Sequence, residues 1–249
     1  MSCIDLHCHI LPGLDDGASG TEEMLKMADI ALRSGVSSVC ATPHSYGKEG
    51  SQPPPDFCKI ILKRVEYARK TFEEYGLPLK IFPGMELFVD DSFDRRLATG
   101  NFLTLNGSRY LLTEFAFDEN DLFCDRVISK ELSAGLVPVI AHPERYSAVQ
   151  DNPRIAAKWA EYGAVIQMNK GSLLGVLGSD VKKCAERLLS EGTVHLISSD
   201  AHSSTVRTPS FTRVIEYLGN KKATEENIAL LVRKNAACIL SDKDVQRLR

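Results

Sequence analysis

The sequence predicts an α/β fold in which a parallel sheet closes toward a barrel, and three observations carry that expectation. Short apolar stretches alternate with amphipathic helical stretches along the whole 249 residues, the pattern of a parallel sheet with helices outside it. The seven apolar stretches read as near-continuous hydrophobic runs, as strands buried on both faces do. Six of the seven run into a histidine or an acidic residue, and barrels of this kind carry their chemistry at the carboxyl ends of the strands. A doubly wound open sheet is the alternative, because periodicity does not reveal closure. With 43% hydrophobic and 25% charged residues and no break in composition, residues 1–249 are expected to form one domain.

The opening strand, Cys3-Ile4-Asp5-Leu6, runs into His7-Cys8-His9. Residues two apart on a strand share a face, so His7 and His9 are expected to point together and Cys8 away from them. A helix over 19–34 follows, capped by Ser19 or Thr21, with Glu22 and Glu23 at its positive end and Gly35 as its stop. Val36 to Ala41 is a second strand, ending in Thr42-Pro43-His44. The loop from Ser45 to Pro55 is expected to form a lip of a substrate site. Ile61, Val65, Ala68, Phe72 and Tyr75 mark one face of a long helix closed by Gly76. Leu79 to Phe82 then leads to Glu86, and Tyr110 to Leu112 leads to Glu114. A helix from about Asn120 to Ser133 precedes the strand Leu136 to Ala141, which delivers His142. Asn152, Pro153 and Gly163 bracket the next helix, with proline inside its start and glycine past its end. Ala164 to Met168 precedes Asn169-Lys170-Gly171-Ser172. A helix from Asp180 to Glu191 then leads to Val194–Ser198, which delivers Asp200 and His202. Thr224 caps a final amphipathic helix through about Leu240.

Several functions are disfavoured. A net charge of -3 lacks the basic balance that nucleic-acid binding needs. The chain opens without a basic region followed by an apolar one, and no apolar run approaches the ~20 residues of a membrane helix. Seven cysteines without C-x-x-C do not suggest a disulfide framework, and reduced thiols in a cytoplasm are expected. Cys58 and Arg64 match the Cys-x5-Arg spacing of thiol phosphatases. The stretch lacks the glycines of a phosphate loop and lies in a helical pattern, so it is read as accidental.

The candidate ligands are His7, His9, Asp16, His44, Glu86, Glu114, His142, Asp200 and His202, which include five of the six histidines. Any one of them alone reads as a hydrogen-bonded core or loop residue. Their joint placement at strand ends points to a metal site for two or three divalent ions. Imidazole and carboxylate without thiolate suit Mn, Fe or Zn. His195 falls inside a strand and reads as a buried structural histidine.

His7-x-His9 with Asp15-Asp16-Gly17, Ala41-Thr42-Pro43-His44, Pro83-Gly84-Met85-Glu86, His142-Pro143-Glu144-Arg145 and Ser199-Asp200-Ala201-His202 together resemble the polymerase-and-histidinol-phosphatase (PHP) superfamily. Asn169-Lys170-Gly171-Ser172-Leu173-Leu174-Gly175 makes the chain most similar to the manganese-dependent bacterial protein-tyrosine phosphatases of capsule and exopolysaccharide loci. The resemblance implies a distorted seven-stranded (β/α)7 TIM-like barrel with a three-metal centre. It implies His7, His9, Glu86 and Asp200 on one ion, His44, Glu86, Glu114 and His142 on a second, and Asp16 with His202 on a third. Ala116 stands where that family commonly has proline. The resemblance assigns Arg145 and Arg207 to the phosphoryl group, which a guanidinium can bind through two oxygens. Arg154 and Arg213 have no such placement. The implied reaction is hydrolysis of phosphotyrosine by a metal-bound hydroxide, with a membrane-anchored tyrosine autokinase as the expected partner. A small-molecule phosphatase, acting for example on histidinol phosphate, is the first alternative. A non-catalytic metal-binding module is the second, and all nine filled ligand positions argue against it.

Overall fold

A computed structural model describes residues 2–46 and 53–248. Eight parallel strands appear among the described residues: β1 (Cys3–Cys8), β2 (Val36–Ala41), β3 (Lys80–Pro83), β4 (Glu86–Phe88), β5 (Tyr110–Glu114), β6 (Val137–Ala141), β7 (Val165–Asn169) and β8 (Leu196–Ser198). They form two sheets, β1-β2-β3 and β4-β5-β6-β7-β8. The expected alternation is therefore present, but the count of seven and the single closed ladder are corrected. The chain from Lys80 to Phe88 makes two strands in different sheets, and β3 ends at Pro83, which has no N–H to continue its ladder with β2. A Cβ at Gly84 would stand 2.8 Å from Cys40 Sγ and 3.1 Å from Thr42 Cγ2, so only glycine lets the chain pass that close to β2. Isolated parallel bridges link the sheets, Cys8 at the end of β1 to Ala201 beyond β8, and His44 beyond β2 to Glu86, the first residue of β4.

The two sheets share an interior. Leu6 of β1, Cys40 of β2, Leu112 of β5, Val139 of β6, Val165 of β7 and Leu196 of β8 belong to one buried cluster. It also includes Ala236 and Ile239 of the last helix, α11 (Asn235–Leu240). Helices cover the outside: α1 (Thr21–Arg33), α2 (Phe57–Glu74), α3 (Phe93–Thr99), α4 (Asp121–Ser133), α5 (Ser147–Asp151), α6 (Arg154–Tyr162), α7 (Lys170–Leu173), α8 (Ser179–Ser190), α9 (Thr212–Asn220) and α10 (Glu225–Ala229). Ile61, Val65, Ala68 and Phe72 are the buried stripe of α2, as their spacing requires. Tyr75 is not part of that stripe. It lies past the helix end and is exposed, because the chain leaves the helix there before Gly76 at φ 64°. α1 also departs from expectation, with Gly20 at its N-cap and no side-chain cap. The Asn120 side chain caps α4 and that of Thr224 caps α10. No helix is long and apolar enough to cross a membrane among the described residues.

Candidate metal centre

Because every strand runs the same way, the carboxyl ends face one side, and the nine predicted residues meet there, Glu86 arriving just past the end of β3 as the first residue of β4 and Asp16 from the loop after β1. Their donor atoms fall into four overlapping groups: His9, Asp16, His44 and His202; His7, Glu86 and His142; His7, His9 and Asp200; His44, Glu86 and Glu114. All but Asp16 are buried. Glu86 is central: His7 Nε2 and His142 Nε2 lie 3.2 Å from its Oε1, His9 Nε2 lies 3.3 Å from Oε2, and His44 Nδ1 lies 2.9 Å from Oε2. Glu114 sits between His44 and His142, at 3.7 and 3.5 Å. His202 Nε2 and His44 Nε2 stand 3.4 and 3.5 Å from Asp16 Oδ1. The groups His7-His9-Asp200 and His44-Glu86-Glu114 fall within the first two sets that the resemblance implied, while His142 also gathers with His7, and His44 and His9 also gather with Asp16 and His202.

The donors fit cations. Gln167 Nε2 donates to the Met168 carbonyl, which turns Gln167 Oε1 toward His7 Nδ1 at 3.1 Å. An amide oxygen only accepts, so His7 carries its proton on Nδ1. His9 Nδ1 likewise donates to Asp15 Oδ2 at 2.7 Å. With Nδ1 of each ring committed to these bonds, the two Nε2 atoms face each other at 3.2 Å beside the Glu86 carboxylate, and each offers a lone pair once it carries no proton. That arrangement is repulsive unless a positive charge lies among them. His44 Nδ1 and Glu86 Oε2, 2.9 Å apart but not aligned as a hydrogen bond, and Glu114 Oε2 are buried without a hydrogen-bond partner, which a folded protein rarely tolerates without a ligand.

Electrostatics give the same picture. Burial works against His7 and His9 being charged, yet Glu86 with Asp200, and Asp15 with Glu86, hold their pKa values above the usual histidine range. Burial also opposes ionisation of Glu86, but His7 and His44 keep its carboxyl well below the usual range. Glu114 is pushed well up by burial and by the Glu86 and Asp200 carboxylates. Burial holds His142 down to about 4, outweighing the hydrogen bond to Glu86. A cation entering the cluster would displace the protons of His7 and His9 and ionise Glu114.

Two candidate ligands hold left-handed backbone conformations, His142 at φ 35° and Asp200 at φ 50°. Residues with a Cβ adopt these at a cost of about 1–3 kcal/mol, which the surroundings must offset. At Asp200 the offset is visible. Buried Asp5 accepts from Ser199 N–H at 2.9 Å and from Ser199 Oγ, and Asp200 N–H donates to the His7 carbonyl at 2.8 Å. The turn before His44 is fixed by Asp15, which also accepts from the backbone N–H of His44 and of Gly17. A Cβ on Gly17 would meet the His9 carbonyl oxygen at 2.1 Å, so the Asp-Asp-Gly turn closes only around glycine.

Arg145 and Arg207 also reach the cluster. Arg145 Nη1 lies 3.6 Å from Asp200 Oδ2, and Arg207 Nη2 contacts the same oxygen. Both side chains remain partly exposed, at 21% and 29%, so their guanidinium groups border the cluster and solvent at once. Arg154 and Arg213 are exposed elsewhere on the surface.

The sequence matches the family described as capsular polysaccharide synthesis, CpsB/CapC, over residues 3–241. The chain belongs to the CpsB/CapC family. It is 32% identical to the tyrosine-protein phosphatase YwqE of Bacillus subtilis, over 98% of this chain and 94% of that one. It is 31% identical to the putative tyrosine-protein phosphatase CapC of Staphylococcus aureus, over 82% and 78%. A solved chain from work on YwqE of Bacillus subtilis and CpsB of Streptococcus pneumoniae, described as unique metal-dependent tyrosine phosphatases, superposes with a TM-score of 0.89. It is 31% identical over 98% of this chain and 97% of that chain.

Within this CpsB/CapC chain, the candidates excluded from the site stay outside it. Cys58 lies on α2, where its thiol is pushed up by burial and donates to Asn101 Oδ1 at 3.6 Å. His195 is buried just before β8 and its Nδ1 accepts from Ile166 N–H at 3.1 Å, a structural bond that requires the neutral ring. Burial accordingly holds it down to about 4. Sequence reasoning missed the layer that orients the cluster: Asp15 on His9, Gln167 on His7, and Asn169, whose Nδ2 donates to Asp200 Oδ2 at 2.7 Å. The only available signal was their position, because Asp15 adjoins a candidate ligand and Gln167 and Asn169 end a strand that carried none. The expected lip from Ser45 to Pro55 lies outside the described residues over 47–52.

Proposed function

We propose that this chain is a metal-dependent protein-tyrosine phosphatase. The observation that carries the reading is the convergence of nine donor residues, several with unpaired buried donor atoms, with two partly exposed arginines at the rim. Divalent cations held by His7, His9, Asp16, His44, Glu86, Glu114, His142, Asp200 and His202 would supply an acidified water and neutralise phosphoryl oxygens. The chain's own contribution is the rest of the chemistry. Asp15 and Gln167 hold the imidazoles in the tautomer that presents a lone pair, and Arg145 and Arg207 face the equatorial oxygens of the transferring phosphoryl group. Mn2+ is the preferred ion, since five imidazoles suit it better than Mg2+.

The finer reading is that the two sheets are arcs of one distorted PHP-type barrel, in one domain over residues 1–249. The bridges at Cys8–Ala201 and His44–Glu86 and the shared interior support it. A membrane-anchored tyrosine autokinase of a capsule system is the proposed substrate, with this enzyme acting from the cytoplasm. The family's description and the tyrosine-phosphatase relatives support that choice over histidinol phosphate. The test is side-by-side turnover of a phosphotyrosine peptide and histidinol phosphate, with chelator and with Mn2+ or Mg2+ added back. Turnover of the peptide alone, lost in chelator and restored best by Mn2+, is expected. Preference for histidinol phosphate, or full activity with metal-free protein, would overturn the reading.

A further inference from the structure

The rim of the centre is aromatic where the candidate ligands give way to solvent. Glu114 lies between His44 and His142, and each imidazole has an aromatic ring beside it. Tyr46 stacks on His44, with centroids 4.6 Å apart and planes 16° apart, and Phe88 meets Tyr46 edge-on at 5.6 Å. On the other side Phe117 meets His142 at 6.1 Å and 65°. Phe117 is 44% exposed, a large apolar ring left open beside a cluster of buried charge. The Arg145 guanidinium lies 4.2 Å from the Phe117 centroid, so the ring also braces one of the two arginines assigned to the phosphoryl group.

We propose that Tyr46 and Phe117 are specificity-determining walls that receive the phenyl ring of the substrate and select aryl over alkyl phosphate monoesters. The proposal deepens the phosphatase reading and rests on it. In an aryl phosphate the ester oxygen is bonded directly to the ring, so a phosphoryl group held by the cluster and Arg145 places that ring at the rim. An alkyl phosphate puts a flexible methylene there, which offers neither wall a face or an edge. Aromatic pairs prefer offset or edge-to-face contact, and two such contacts reward a flat, rigid ring. Metal ligands and arginines alone do not distinguish the two esters, because they touch only the phosphoryl oxygens they share.

The test uses the full chain loaded with Mn2+ and measures calorimetric binding of phenylphosphonate and methylphosphonate, which share the anionic head and cannot be hydrolysed as esters. The wild type should bind phenylphosphonate roughly 20-fold more tightly. Phe117→Leu and Tyr46→Leu should each cut the preference for phenylphosphonate over methylphosphonate by about fivefold, while Tyr46→Phe retains it. Leucine keeps packing volume beneath Arg145 and His44, and metal content and circular dichroism verify the fold. Should Tyr46→Leu fail to fold, Phe117→Leu carries the test, since its ring is exposed. Equal binding of the two ligands by the wild type, or parallel weakening of both in Phe117→Leu, would overturn the slot. If the preference holds but a phosphotyrosine peptide is not hydrolysed, the slot stands and the catalytic reading fails.

Discussion

At the scale of single residues, the lone pairs are set by neighbours that hold no metal themselves. Asp15 accepts from His9 Nδ1, from His44 N–H and from Gly17 N–H, so one buried carboxylate orients a candidate ligand and the turn that carries another. Replacing it with Asn puts an amide that can both donate and accept beside His9, so the ring can move its proton to Nε2 and lose the inward lone pair. Asp15→Asn is therefore expected to weaken Mn2+ binding by roughly 10- to 100-fold in a calorimetric titration. Unchanged affinity would remove Asp15 from the support of the centre. Arg145 and Arg207 make the opposite prediction. A guanidinium has no lone pair to give a metal, so either Ala substitution should leave metal content intact. Each should lower kcat/KM on a phosphotyrosine peptide by about 100-fold, as loss of one preorganised charge-stabilising group does. Arg154→Ala, exposed elsewhere, is the control, and near-normal kcat/KM in both arginine variants would refute the assignment.

At the scale of elements, α4 and β5 are joined by a buried polar contact close to the centre. Thr113 Oγ1 of β5 donates to Glu131 Oε1 of α4 at 2.8 Å, and Glu131 Oε2 has no hydrogen-bond partner. Burial pushes Glu131 up to about 8, against the lowering effect of Thr113. An acid whose pKa is raised on folding stabilises the fold fully below its unfolded value, near ~4.3. That contribution is lost as pH rises through the folded value of about 8. Glu131→Gln imitates the protonated side chain. In urea unfolding it should match the wild type near pH 4 and exceed it increasingly up to pH 9. The upper bound on that gain is about 5 kcal/mol, since a tenfold change in proton affinity is worth ~1.4 kcal/mol. The same difference at both pH values would show that Glu131 is ionised in the fold. The helices and most strands were legible because their signals are local: the stripe of α2, the Asn120 and Thr224 caps, and the glycines that stop helices. β4 was not legible, because three residues after Pro83-Gly84-Met85 carry no period of their own and pair only through β5 and His44.

At the scale of the molecule, folding concentrates buried ionisable groups on the side of the sheets where most strands end, and the stability of the whole chain is linked to what neutralises them. Without cations, protons on His7 and His9 balance the carboxylates, and this stabilisation is lost as pH rises through the raised histidine pKa values. Cations compete with those protons and bind more tightly as pH increases. The Mn2+-loaded and chelated proteins should therefore differ little in Tm near pH 5 and more near pH 8. A cation at 100 times its Kd contributes about 2.7 kcal/mol, or roughly 5–10 °C for a chain of this size. Identical melting at pH 8, with metal analysis confirming loaded and stripped samples, would refute this linkage.

The sequence by itself determined which residues could serve as ligands and on which side of the sheet they would meet. Strand period and direction are local properties, and a parallel sheet turns them into a common edge. Tertiary structure alone decided how those donors group, since Glu86 touches His7, His9, His44 and His142 across sequence separations that no period encodes. It also decided that the strands divide between two sheets, and that Asp15, Gln167 and Asn169 orient the site, with Tyr46 and Phe117 at its rim. Those roles depend on hydrogen bonds and ring contacts made only once distant strand ends are packed together, and a linear sequence does not display such distances.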